Sequence, residues 1–140
     1  MKKALLDTNI LSYFLRGETQ VVKRFREYQQ FHTYLTFSVL TYYEIKSGLL
    51  YKDAKNLLQQ FEILANSSEI VPLDIDTANV ASIIYQDLRQ RGLLITPIDL
   101  LIGASAINNK SVLITANIKH FQNIPNLEYD NWIAPPTRIL

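Results

Sequence analysis

Short apolar runs of strand character alternate along this chain with longer stretches of helical periodicity, and that alternation limits the fold more than any other feature. Lys3 to Leu6 reads as a strand, followed by a helix over Asn9 to Leu15 and a basic amphipathic helix over Val21 to Phe31. Thr33 to Phe37 is expected as a second strand; Ser38 then caps a helix to about Tyr51, and Asp53 starts another through Leu64. "EIVPLD" is a third strand, leading to a long helix with Ala78, Ala81, Tyr85 and Leu88 on one face, stopped by Gly92. Pro97 opens a helix to Asn108, "SVLIT" is a fourth strand, and a weaker fifth lies near Leu127 to Trp132. Strands separated by helices pair in parallel through right-handed crossovers. The expected fold is therefore α/β: a three-layer α/β/α sandwich around a mostly parallel sheet of four to five strands.

The 140 residues are 48% hydrophobic, enough to bury the core of one domain and too few for two, so residues 1–140 are expected to form a single domain. Met1, Lys2 and Lys3 before Ala4, Leu5 and Leu6 imitate a secretory leader, but Asp7 charges the segment and Arg16-Gly17-Glu18 closes it, so no removable leader is expected. The stretch from Leu93 to Ile107 is interrupted by Pro97 and Asp99 and is shorter than the roughly 20 apolar residues a bilayer requires. A soluble chain without a membrane partner is expected. The net charge of +1 announces no global field for nucleic acid, so any such binding depends on local patches. The absence of cysteine removes disulfide frameworks, thiolate zinc sites and cysteine nucleophiles together, and is compatible with a cytoplasmic location.

Open α/β sheets gather ligands at the carboxyl ends of their strands. Asp7 follows the first strand, Ser38 the second with Glu44 further along the next helix, Asp99 lies in the first turn of the helix opened by Pro97, and Thr115 with Asn117 follows the fourth strand. Carboxylates crowded at one edge repel one another unless a cation neutralises them. Oxygen ligands without histidine or cysteine favour magnesium or manganese.

Each residue also has a purely structural reading. Asp7 serves equally well as a helix cap, and Thr96-Pro97-Ile98-Asp99 is a good capping box. Glu44 shares a helix row with Leu40, Tyr43 and Gly48, where its bland role is a partly buried carboxylate bonded to a tyrosine. Asp74 and Asp76 read as caps of the long helix and Asp53 as the cap of its own. His32 and His120 have no partner at metal-ligand spacing and read as surface or interface groups, and Lys23, Arg24 and Arg26 as a solvated face.

"LLDTNIL", "SVLTYYEIKSGL", "ITPIDLLIGASAI" and "LITANIKHF", in that order, resemble the four signatures of a PIN domain, and more narrowly those of the small toxins called VapC. "VPLDIDTANVASIIYQDLRQRG" is similar to the family's helix before the third signature, and the resemblance runs from Lys3 to Trp132. It implies a PIN-like sandwich and a metal-dependent endoribonuclease that is usually dimeric and held silent by a cognate VapB-like antitoxin. Asp7, Glu44 and Asp99 fall on the family's metal-site acidic positions and Thr115 on its hydroxyl position. Asn117 stands where many members carry aspartate, which leaves three acids and one amide and puts a second metal position in question.

The implied catalytic set is therefore Asp7, Glu44, Asp99 and Asn117, with Mg2+ or Mn2+ held by the three acids. Thr8 and Asn9 orient Asp7 by hydrogen bonding, and Thr115 supports the site. Arg16, Lys46, Lys119 and the helix bearing Lys23, Arg24 and Arg26 are rim candidates for the RNA backbone, with transfer RNA a family expectation for the substrate. An aspartate-based phosphatase would want a second aspartate two residues after Asp7, and that position is Asn9. A non-catalytic PIN module that binds RNA or protein is the other alternative, made thinkable by Asn117.

Overall fold

The structure, a computed structural model, describes residues 1–133. In chain order the elements are β1 (Ala4–Leu6), α1 (Thr8–Leu15), α2 (Thr19–Gln29), β2 (Thr36–Ser38), α3 (Val39–Tyr51), α4 (Lys55–Asn66), β3 (Glu69–Val71), α5 (Ile75–Gln90), α6 (Pro97–Asn108), β4 (Val112–Ile114), α7 (Ile118–Phe121) and β5 (Tyr129–Asp130). Every strand pairing is parallel. The ladders run β1-β4-β5 and β2-β3, with β2 lying beside β1.

Side-chain alternation along the strands separates the layers. Ala4 and Leu6 of β1 and Ile114 of β4 join the core beneath α1 to α4, with Ile10, Phe25, Tyr28, Phe37 and Phe61. Leu5 and Leu113, one residue out of phase, join the opposite core with Ala81, Ile84, Leu88, Ile102 and Phe121 from α5, α6 and α7. Helix α6 is apolar almost all round, and its small residues let neighbours approach closely. A Cβ built on Gly103 would lie 2.8 Å from Ile124 Cδ1.

Three sequence expectations change for local reasons. Asp53 does not cap α4: Ala54 holds the N-cap position without a side-chain bond, and Asp53 adopts φ +51. That left-handed residue follows α3, where its N–H donates to Leu50 O and the next N–H to Leu49 O, a role aspartate tolerates better than most side chains. The buried face of α5 is Thr77, Ala81, Ile84 and Leu88, and Tyr85 instead points outward under the Arg89 guanidinium, 5.7 Å from its ring centroid. The third strand ends at Val71 because Pro72 carries no N–H for a ladder; Asp74 further on caps α5 by accepting from Thr77 N, while Asp76 lies in its first turn.

Candidate active site

The register of β1 and β4 builds the centre of the site. Leu6 pairs with Ile114, so the next residues, Asp7 and Thr115, leave the sheet side by side at its carboxyl edge. The Asp7 N–H donates to Ile114 O at 2.8 Å and extends the ladder by one bond. Asp7 then turns into α1 as its N-cap, with Oδ1 accepting from Thr8 N at 2.8 Å. Its Oδ2 accepts from the Thr115 hydroxyl at 2.8 Å, and Thr115 Oγ1 in turn accepts from Asn117 N at 2.9 Å. Asp7 is 3% exposed and Thr115 fully buried. The cap bond occupies Oδ1 from one side only, so capping α1 leaves the carboxylate able to serve a site as well.

Burial pushes the Asp7 carboxyl above its ordinary pKa, because desolvation penalises the charged form. The bonds from Thr115 and Thr8 oppose that rise, and the charges of Asp99 and Glu44 add smaller contributions to it.

Glu44 stands on α3, half-buried, and its Oε1 accepts from the Thr8 hydroxyl at 2.6 Å, with Thr41 Oγ1 3.4 Å from the same hydroxyl oxygen. Among the described residues no tyrosine bonds Glu44: Tyr43 is 60% exposed, and the Thr8 hydroxyl is the partner. Thr8 therefore supports two acids, its backbone holding Asp7 and its side chain Glu44, while Asn9 makes no side-chain hydrogen bond to Asp7 among the described residues. Asp99 lies in the first turn of α6, where its N–H donates to Thr96 Oγ1 at 3.3 Å. The reciprocal half of the capping box is not made among the described residues; the carboxylate turns instead to His120, whose Nδ1 is 3.1 Å from Oδ2. Asn117 is half-buried at the start of α7, and its side chain makes no cap bond.

His120 is the residue that sequence spacing undervalued. It lies on the one-turn helix α7, and the signal was its position three residues after Asn117, one helical turn along. The rim candidates divide. Arg16 lines a groove of about 170 Å³ together with Thr8, Asn9, Glu44 and Lys52, and Lys119 lines a second groove with Asp99 and His120. Lys46 is engaged by Glu62 at 3.0 Å and Arg24 by Asp130 at 3.3 Å. Lys23 and Arg26 are exposed on α2, and no hydrogen bond or ion pair ties them to the acids among the described residues.

The donors suit a hard, hydrated cation. They are oxygen atoms only, and each of Asp7, Glu44 and Asp99 keeps lone pairs beyond those its protein partners occupy. Among the described residues no three Asp, Glu or His side chains close into a direct cage. Magnesium tolerates that, since it retains several waters and takes only one or two carboxylates directly. Among the described residues no helix is long and apolar enough to cross a membrane.

The family model of the PIN domain matches residues 4–127. Ribonuclease VapC2 of Rickettsia felis is 30% identical over 91% of this chain and 96% of its own length. Two solved structures superpose closely: VapBC2 of Rickettsia felis bound to a DNA fragment from its promoter, with 27% identity, a TM-score of 0.85 and coverage of 92% of this chain and 98% of that one, and VapBC-1 of nontypeable Haemophilus influenzae, with 26% identity, a TM-score of 0.81 and coverage of 94% and 98%. The buried aspartate at the end of β1, the acids on α3 and α6 and the hydroxyl after β4 thus sit on a matched scaffold, and the chain belongs to the PIN-domain family, among its VapC members.

Proposed function

We infer that this chain is a VapC-type endoribonuclease that hydrolyses RNA phosphodiester bonds, the toxin of a VapBC-like toxin-antitoxin pair. The family match supports the activity, and the solved VapBC neighbours support a VapB-like antitoxin as partner. One observation carries the catalytic assignment: Asp7 is buried and fixed by Thr115 and Thr8, and the same Thr8 holds Glu44 through its hydroxyl at 2.6 Å.

Asp7, Glu44 and Asp99 would hold Mg2+ or Mn2+, directly or through water. Such an ion, when bound, polarises a phosphate oxygen and lowers the pKa of water. Asp99 orients the attacking water and Glu44 accepts its proton. The water oxygen bonds to phosphorus as the bond to the 3′ oxygen breaks, and the 3′ oxygen takes up a proton from solvent water, leaving a 3′ hydroxyl and a 5′ phosphate. Thr115 and Thr8 keep the carboxylates aimed, and Asn117 orients water without adding charge. Arg16 and Lys119 hold the RNA backbone on either side, with a homodimer as the working form.

The test is cleavage of transfer RNA and other structured RNA with magnesium or manganese, with chelator, and with the variants Asp7→Asn and Asp99→Asn. Cutting that chelator and each substitution abolish, in protein whose circular dichroism is unchanged, is the expected result. Activity that persists in chelator, or in both variants, overturns the assignment.

A further inference from the structure

The acidic centre opens on its α6–α7 side into a groove of about 470 Å³ lined by Leu94, Ile95, Thr96, Asp99, Lys119 and His120. Asp99 is the residue this groove shares with the candidate catalytic set, so a ligand filling the groove lies against the Asp99 carboxylate. His120 is held there by one edge. An ionised carboxylate only accepts, so the imidazole Nδ1 donates to Asp99 and the Nε2 edge of the ring is left without a protein partner among the described residues. The His120 side chain is 54% exposed, which leaves its outer edge and part of its ring open to a ligand. Leu94, 88% exposed, supplies an aliphatic surface at the same groove, and Lys119 supplies a cation.

An aromatic ring, an aliphatic contact and a cation are the parts from which proteins bind an unstacked nucleotide: base on ring, phosphate on ammonium. The location of cations matters because the chain's net charge is only +1 and the acids themselves repel a polyanion. We propose that this groove is the subsite for the nucleotide next to the scissile phosphate, with His120 contacting its base and Lys119 its phosphate, a proposal that rests on the ribonuclease reading of the site. His120 is then a positioning residue twice over: it fixes the Asp99 carboxylate with one edge and selects the base with the other. RNA lying across the centre has a cation on each side, Lys119 at this groove and Arg16 at the groove beside Glu44.

Binding and cleavage test it separately. In chelator, a labelled single-stranded RNA of about a dozen nucleotides is titrated by fluorescence anisotropy into the wild type, His120→Ala, Lys119→Ala and the control Arg89→Ala on the outer surface of α5. Loss of a base–ring contact weakens binding by about tenfold or more in His120→Ala. Lys119→Ala lowers the slope of log affinity against log salt by about 0.7, the value for one phosphate contact on a single strand, and Arg89→Ala changes neither. With magnesium, sequencing the products of a randomised RNA pool shows a base preference at one position beside the cut. His120→Ala relaxes it, and Lys119→Ala raises KM without changing it.

His120→Asn, which keeps a donor toward Asp99 but removes the ring, is expected to restore kcat and not the base preference. Unchanged affinity, salt slope and preference in these variants overturn the proposal, as does unchanged RNA binding with lost antitoxin binding, which would assign the groove to the protein partner. A wild type that binds RNA through His120 and Lys119 but cuts nothing overturns the ribonuclease reading, and with it the placement beside a scissile phosphate, while the nucleotide contacts of His120 and Lys119 stand.

Discussion

Asp7 and Asp99 are aspartates at the start of a helix, and the protein treats them in opposite ways. Asp7 is 3% exposed, both its oxygens accept from groups fixed by the sheet edge, and its pKa is raised by burial. Asp99 has a side chain 20% exposed and spends one oxygen on an imidazole that itself faces solvent. The same residue type in similar local sequence becomes a rigid anchor in one place and an adjustable arm in the other. What differs is the setting: Asp7 ends a paired strand and bonds to the sheet edge, whereas Asp99 lies in the first turn of α6 and bonds to His120 of the short helix α7.

The largest expected effect is common to both. Asp7→Asn and Asp99→Asn each remove one ligand charge, and RNA cleavage in magnesium falls to background in either, measured with protein of unchanged circular dichroism. The two then part in stability. Because burial raises the Asp7 pKa in the folded state above its unfolded value, its favourable contribution belongs to the protonated form and is lost as pH rises through the folded pKa. At neutral pH in chelator the buried carboxylate therefore costs stability, and Asp7→Asn should raise Tm. That gain should shrink toward zero as pH falls below the ordinary carboxylate range, where Asp7 is neutral in both states. Asp99→Asn, which keeps an oxygen to accept from His120 Nδ1, should change Tm at neutral pH by less than Asp7→Asn does. A fall in Tm for Asp7→Asn at neutral pH would mean that its hydrogen bonds from Thr8 and Thr115 outweigh the desolvation.

Glu44 comes next. Glu44→Gln keeps the bond from Thr8 but removes the negative charge and basicity, and a loss of roughly 10²- to 10⁴-fold in kcat is expected for a group that takes a proton from water. Thr8→Val leaves the charge and frees the carboxylate to swing, with an expected loss of about 10- to 100-fold. If Thr8→Val proves as damaging as Glu44→Gln, orientation and not charge is what Glu44 supplies.

Thr115→Val sharpens the comparison from the anchor's side. Valine matches the shape of threonine but leaves Asp7 Oδ2 and Asn117 N without their partner, so a loss of about 1.5–3 kcal/mol in chemical denaturation is expected. Turnover should fall about 10- to 100-fold, as for other groups that orient a metal ligand. The same replacement at Thr96, whose hydroxyl only caps α6 by accepting from Asp99 N, should cost about 0.5–2 kcal/mol and less activity.

The anchor was easier to read in the sequence than the arm. Asp7 and Thr115 each follow an apolar strand run, and parallel pairing dictates that such residues meet at the carboxyl edge. Glu44 is marked by its helix row and by family resemblance, but its bond from Thr8 is not legible, because a contact across 36 positions leaves no local trace. Asp53 and Tyr85 were misplaced for a similar reason. A left-handed turn after α3 and a rotation of the α5 face onto Ile84 depend on how neighbouring helices pack, which periodicity alone does not resolve. His120 has no partner at metal-ligand spacing in the sequence, and α7, a single turn, is too short for periodicity to reveal that it carries His120 to Asp99.

Asn117 lies between the two regimes and carries the smallest expected effect. Its backbone belongs to the anchor, donating to Thr115 Oγ1 at 2.9 Å, while its half-buried side chain makes no cap bond and can turn toward a bound water. Asn117→Ala keeps the backbone bond and removes only the amide, so its loss in rate should sit near the lower end of the roughly 10- to 100-fold range for orienting residues. Asn117→Asp adds a carboxylate to the three already present, and a divalent ion gains attraction from it. Half-maximal rate should then be reached at a lower magnesium concentration than in the wild type. Rate measured against magnesium for the wild type and both variants separates charge from position. If Asn117→Ala is as dead as Asp7→Ala, the amide touches the reacting groups; if Asn117→Asp leaves the magnesium midpoint unchanged or higher, the side chain faces away from the cation and only its backbone serves the site.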